Sequence, residues 1–323
     1  LRRTITVSAG IALCLVLACA LIVPNRTAIL SWVALRTAFV FTHPIEQKIG
    51  FATTSDGVRI AYATTGEGPP LVSVLGWVTH LKRGLLSPLY DREGWIRWAS
   101  KDHLFVRYDG RGFGLSDRNV EDFTLEARVR DLEAVVDTLR LERFPIYAIS
   151  AGGPTAIAYT VRHPERVSGL VLAGTMARWL LDSRERQRWE GMISLFRSNW
   201  DSLVVRNMMV TFLAPDAGEV MQRMGSEWLK ISCDGPTVAA FFQQLTRIDV
   251  SEDARMIQVP TLVIHGEEDP VVRLENGRDL ASLIPDARVE IIPGANHEEG
   301  TFTSPKAREL IADFLAPTFA GSE

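Results

Sequence analysis

Cysteine is scarce in this chain. Of three in 323 residues, Cys14 and Cys19 lie in an apolar N-terminal stretch, which leaves Cys233 alone in the remainder. An internal disulfide there is excluded, and a metal site built on cysteines is not expected. An excess of basic charge is lacking as well: 35 Lys and Arg stand against 39 Asp and Glu, a formal net charge of -4, and there is no sustained basic run. Nucleic acid is therefore not an expected partner. Internal repeats and low-complexity tracts are also missing. With 46% hydrophobic and 23% charged residues, the composition excludes intrinsic disorder and suits one large or two medium folded domains.

What is present first is a long apolar run. Residues 4–23 read TITVSAGIALCLVLACALIV without a charge, about the ~20 residues a helix needs to cross a bilayer. Residues 1–23 are thus expected to be a membrane anchor or signal segment. Arg2 and Arg3 supply a positive start while Arg26 and Arg36 stand on the other side, so charge leaves the orientation open. Lipid attachment at Cys19 is an alternative suggested by Val16, Leu17 and Ala18, although apolar residues continue past that cysteine. Residues 24–46 read as a juxtamembrane linker or interfacial helix, because the apolar stretch 27–41 is broken by Arg36. The chain begins with Leu1, as a fragment or an alternative start codon would give. The expected location is the bacterial inner membrane with the following domain exported, with a secreted or lipid-anchored form as the alternative.

From residue 47 onward the pattern alternates strand and helix. Residues 47–54 and 58–65 are β-rich and joined through Asp56-Gly57, a hairpin signal. Apolar runs follow at 70–75, 104–108, 145–149, 169–173, 261–265 and 289–292, most of them ending in Gly, Asp or Ser. Such continuous apolar strands suit a parallel sheet covered on both faces. Leu125, Val129, Leu132, Val136 and Leu139 share one helical face, and Ser304-Pro305 signals the start of a last helix. The expected class is α/β, a doubly wound, mostly parallel sheet over residues 47–323. Between about 176 and 256 the strand rhythm stops and large residues accumulate, Trp179, Trp189, Phe196, Trp200, Phe212, Trp228, Phe241 and Phe242 among them. This reads as an inserted helical cap over the sheet's C-terminal edge, where open α/β sheets bind ligands.

Candidate chemistry sits at strand ends. Tyr147-Ala148-Ile149-Ser150-Ala151-Gly152-Gly153-Pro154 places a serine between strand and helix with small residues two positions either side, the nucleophile-elbow pattern. A serine needs a base and the base an orienting acid. Among His43, His80, His103, His163, His265 and His297, only His297 follows the last strand, in Gly294-Ala295-Asn296-His297. Asp269 is the favoured acid, three residues after the strand-ending Gly266, with Glu267 and Glu268 as competitors. The order serine, acid, histidine is that of one fold. Gly76 at the end of the first parallel strand can turn the Trp77 N–H toward the serine. Trp77 and Ala151 are thus the candidate oxyanion-hole donors, each worth roughly 3–4 kcal/mol. Tyr108-Asp109-Gly110-Arg111-Gly112-Phe113-Gly114-Leu115-Ser116-Asp117 lacks the lysine and helix opening of a phosphate loop. Asp109 and Arg111 are expected to brace loops beside the site.

On these motifs the chain resembles the α/β-hydrolase superfamily, from residue 47 to about 315. The text from Asp56 to Ala63, from Gly68 to Val72 and from Gly112 to Arg118 is more narrowly similar to hydrolase domains fused to bacterial adenylate cyclases and helix-turn-helix regulators. Two departures stand out: Leu75-Gly76 where the superfamily commonly has His-Gly, and Ala148 in place of a glycine. A serine nucleophile implies acyl chemistry: hydrolysis of an ester, thioester, lactone or amide of a small, apolar substrate, with no metal or organic cofactor. A ligand sensor with little turnover is a second reading. An aminopeptidase-like enzyme is a third, but Glu185, Glu190 and Glu219 do not pair at helical spacing. Arg178 has two readings, a group that greets a substrate carboxylate and a solvated surface arginine.

Overall fold

Strands with no polar face are the reason this sheet is sandwiched. Phe144–Ile149 (β5), Val167–Ala173 (β6) and Thr261–Gly266 (β7) are buried at every position, as apolar runs require when helices cover both faces. The computed structural model describes residues 45–76, 78–85, 94–213 and 218–319. The expected membrane segment 1–23, the linker 24–46 up to residue 44, and Trp77 lie outside them. Among the described residues no helix is long and apolar enough to cross a membrane. Residues Gln47–Glu323 form one compact unit.

Gln47–Thr53 (β1) and Arg59–Thr65 (β2) make the hairpin that Asp56-Gly57 announces, with Gln47 opposite Thr65. Gly57 takes φ +85° in the turn, where glycine meets no Cβ penalty. Pro70–Val74 (β3), Leu104–Tyr108 (β4) and Arg288–Ile292 (β8) complete eight strands in the order β1-β2-β4-β3-β5-β6-β7-β8. β1, β2 and β4 pair antiparallel, and all pairs from β4 through β3 to β8 are parallel. The parallel strands thereby point their C-terminal ends to one edge.

The helices divide between the sheet's faces and a cap. Leu81–Gly84 (α1) and Trp95–Ala99 (α2) are short. Leu125–Thr138 (α3) and Gly153–Arg162 (α4) contribute Val129, Leu132, Val136, Ile157 and Tyr159 to the main core with Ile146 and Leu170. Ser183–Asn199 (α5), Leu203–Leu213 (α6), Glu219–Ser232 (α7) and Gly235–Leu245 (α8) form the cap. It has a core of its own: Trp189 stacks on Phe242 at 4.9 Å, and Phe196 meets Trp200 edge-on at 5.7 Å. The cap ends earlier than the sequence rhythm suggests. Ser251–Met256 (α9) packs with the sheet-covering layer, because Val250, Ala254 and Ile257 face the main core. Leu274–Leu283 (α10) and Pro305–Leu315 (α11) follow, and Ser304 caps α11 by accepting from the Ala307 N–H.

Candidate active site

β5 delivers Ser150 to the sheet edge in a strained turn. Ser150 takes φ +54°, a left-handed conformation that costs a non-glycine residue of order 1–3 kcal/mol and is kept where structure over-determines it. The neighbours explain why. A Cβ on Gly152 would collide with the Val74 carbonyl oxygen, and one on Gly153 with the Thr175 side chain. Gly76 lies so close that a Cβ there would sit 3.3 Å from Ser150 Cβ and 3.6 Å from its Oγ. The Thr175 hydroxyl donates to the Ser150 carbonyl at 2.5 Å. Ala148 is fully buried, so its methyl is accommodated within the packing of the turn.

The acid loop follows β7. Asp269 Oδ1 accepts from the Val271 and Val272 N–H groups at 2.8 and 2.9 Å, and Oδ2 from His297 Nδ1 at 2.6 Å. Both oxygens of this buried carboxylate are therefore engaged. The Nδ1–H goes to the carboxylate, and Nε2 is the nitrogen left to act as a base. Glu267 instead accepts from the Gly294 N–H at 3.0 Å, a loop-bracing role. Gly266 is required because the loop carrying His297 crosses over it: a Cβ would lie 2.5 Å from the Ala295 and Asn296 carbonyl oxygens.

Further contacts tie the serine strand to the histidine loop. The Tyr147 hydroxyl donates to the Thr301 carbonyl at 2.6 Å, and Thr301 Oγ1 donates to the His297 carbonyl at 2.9 Å. Gly174, at φ +54°, leaves room for the imidazole, since a Cβ there would lie 3.2 Å from His297 Cε1. The end of β5, which leads into Ser150, is thus tied to the loop of His297, and that loop to Asp269 after β7. Of the two candidate oxyanion donors, Ala151 directly follows Ser150 at the helix entry, and Trp77 lies outside the described residues.

Asp109 and Arg111 brace the neighbouring loops as their sequence context suggests. Asp109, fully buried, accepts from the N–H groups of Leu81 at 3.1 Å and Leu115 at 2.8 Å, and burial pushes its pKa up to about 6. Arg111 reaches Asp131 at 2.9 Å and Asp56 at 2.9 Å, and its hydrogen bond holds the Asp56 carboxyl well below the usual range. Arg178 is occupied by Asp279 at 2.9 Å. Glu185 closes a capping box on its own helix and Glu219 pairs with Arg223. Among the described residues no group of three His, Cys, Asp or Glu could hold a metal ion. Cys233 is buried and free.

His265 was not singled out from sequence. Its Nε2 donates to the Val272 carbonyl at 2.6 Å and lies 3.5 Å from Asp269 Oδ2, so it clamps the turn that positions the acid. Burial holds its pKa below the ordinary value, which keeps it neutral. Its position immediately before Gly266 was the available signal. A cavity beside Ser150 is walled by Ala151, Met176, Trp179, Met209, Phe212 and Phe242, so a few of the cap aromatics face the serine while most pack on one another.

A family model described as alpha/beta hydrolase fold matches residues 70–299, and the chain belongs to this family of enzymes. It is 26% identical over 279 residues to a non-heme haloperoxidase of Rhodococcus erythropolis, covering 82% of this chain and 98% of that protein. It is 24% identical over 249 residues to a 3-oxoadipate enol-lactonase of Acinetobacter baylyi, covering 75% and 88%. The crystal structure of a membrane phospholipase A, described as a bacterial virulence factor, superposes with a TM-score of 0.70. At 19% identity over 99% of this chain and 100% of that one, this likeness speaks for the fold.

Proposed function

We propose that the protein is a serine hydrolase that cleaves an ester, thioester, lactone or related acyl bond through Ser150, His297 and Asp269. The observation that carries this reading is the Asp269–His297 hydrogen bond of 2.6 Å, joined by shared contacts to a serine held at φ +54°. In the mechanism, Ser150 Oγ bonds to the substrate carbonyl carbon as its proton passes to His297 Nε2, and Asp269 stabilises the imidazolium. The Ala151 and Trp77 amides receive the oxyanion. The leaving group departs with the proton from His297. Water then loses a proton to Nε2 and attacks the acyl carbon, and His297 passes that proton to Ser150 Oγ as the acyl–oxygen bond breaks and the acid is released. The wall of Met176, Trp179, Phe212 and Phe242 beside Ser150 suits an apolar part of the substrate. Residues 4–23 are proposed to hold this domain at a membrane, a reading that rests on their uncharged sequence.

Labelling with a fluorophosphonate tests the reaction class. The detergent-extracted full chain is expected to label strongly, Ser150→Ala not at all, and His297→Ala at least about a hundredfold more slowly. A folded wild-type protein that fails to label overturns the reading. Recovery of the chain from the soluble fraction after lysis overturns the membrane placement.

A further inference from the structure

Arg128 lies on α3 one turn from Leu125 and Leu132, within the helix face that packs inward. Only 8% of it is exposed. Its Nη1 donates to the Ala151 carbonyl at 3.3 Å, and its guanidinium carbon stands 5.3 Å from the centre of the Phe241 ring. Among the described residues Nε and Nη2 have no hydrogen-bond partner. Asp131 attracts it through space, but the Asp131 oxygens are taken by Arg111, Oδ1 by Nε at 2.9 Å and Oδ2 by the backbone N–H at 3.1 Å. Burial lowers the Arg128 pKa to about 10, which leaves the group cationic at neutral pH. A buried cation with unmet donors is costly unless an anion joins it. Bracing Ala151 uses one nitrogen of the three.

The same residue lines a cavity of about 40 Å³ together with Gly76, Tyr108, Arg111, Asp131, Ala151 and Phe241. One water needs ~10–15 Å³, so the space suits a group of a few atoms. Ala151 is also a wall of the apolar cavity that contains Ser150. An apolar compartment and one holding two guanidiniums and one carboxylate therefore share a wall at the residue after the serine, with Arg111 already holding the carboxylate and Arg128 left over.

We propose that Arg128 forms a specificity subsite for a carboxylate carried by the acyl substrate, a few bonds from the carbonyl that Ser150 attacks. The planar guanidinium fork matches a carboxylate in shape and charge. This rests on the serine-hydrolase reading and narrows its substrates to acyl compounds bearing an anionic arm, such as monoesters of short dicarboxylic acids.

Binding to the full-length Ser150→Ala protein, which cannot turn the probe over, is measured by titration calorimetry with monomethyl glutarate and dimethyl glutarate. The monoanion is expected to bind roughly tenfold tighter or more. Adding Arg128→Met is expected to abolish that preference, and Arg128→Lys to keep part of it. Equal affinities, or a preference that survives Arg128→Met, overturn the proposal. Acetate alone separates a free anion from a substrate-borne one: acetate binding as tightly as monomethyl glutarate overturns the substrate assignment. A wild-type comparison needs no Arg128 variant, in case the arginine is required for folding. There kcat/KM for the para-nitrophenyl monoester of glutarate should exceed that for para-nitrophenyl valerate by roughly tenfold, and a ratio of one or less overturns the subsite. Fluorophosphonate labelling keeps the two readings apart. A protein that labels without preferring the carboxylate lacks only the subsite, whereas one that does not label lacks the hydrolase chemistry while the titration still decides Arg128.

Discussion

Ser150 and Gly76 illustrate how little space the chemistry leaves at single residues. A methyl at position 76 would stand 3.3 Å from Ser150 Cβ, so one of the two must shift. Gly76→Ala is therefore expected to slow fluorophosphonate labelling by about 10- to 100-fold, with little change in thermal unfolding. His265 acts at second hand, through the turn that carries Asp269. His265→Phe leaves the Val272 carbonyl without its donor, at a cost of about 1–3 kcal/mol in urea unfolding, and slows labelling, while His265→Gln should restore part of both. The sign of its pH dependence follows from a pKa lowered below 6.5 by burial. The unfolded chain takes up the proton first, so this contribution is present above about pH 6.5 and is lost as pH falls through the folded-state value. The stability gap between wild type and His265→Phe should narrow in acid. In sequence only its place before Gly266 marks His265; its partner across the turn, Val272, is a product of the fold.

At the scale of elements, α3 does more than cover the sheet. Its apolar stripe, Val129, Leu132 and Val136, was legible from helical spacing, and the structure buries it. Two charged residues, Arg128 and Asp131, share that face, with Leu125 and Leu132 three and four positions either side of Arg128. Asp131 secures the glycine-rich loop after β4 by holding Arg111 at 2.9 Å, with both side chains nearly inaccessible. Asp131→Ala would leave that guanidinium to Asp56 alone and the Arg111 backbone N–H without its acceptor, and is expected to cost about 1–3 kcal/mol, read by thermal or urea unfolding. The cap shows a different limit. Its helical character was plain, but its end was not, since Val250, Ala254 and Ile257 look alike in sequence whether they face a cap or a sheet.

At the scale of the whole molecule, eight strands and the helices on both faces use residues 47–319, and these residues contain Ser150, Asp269 and His297. A chain starting at Gln47 is accordingly expected to fold and to label at a rate within about threefold of the full chain. Loss of labelling in that shortened protein would mean that the N-terminal residues take part in the site. Sequence alone determined the strand and helix order, the hairpin and the serine–acid–histidine order, because burial on both sheet faces and tight turns at strand ends each demand particular residue types at short range. Only the tertiary structure decided that Asp269, with Glu267 and Glu268 beside it, is the acid paired with His297. It alone brought His265 under the acid loop and Arg128 behind Ala151. Those pairings join residues 7 to 28 positions apart, and which groups meet depends on how strand ends and helix faces pack, a matter on which local spacing is silent.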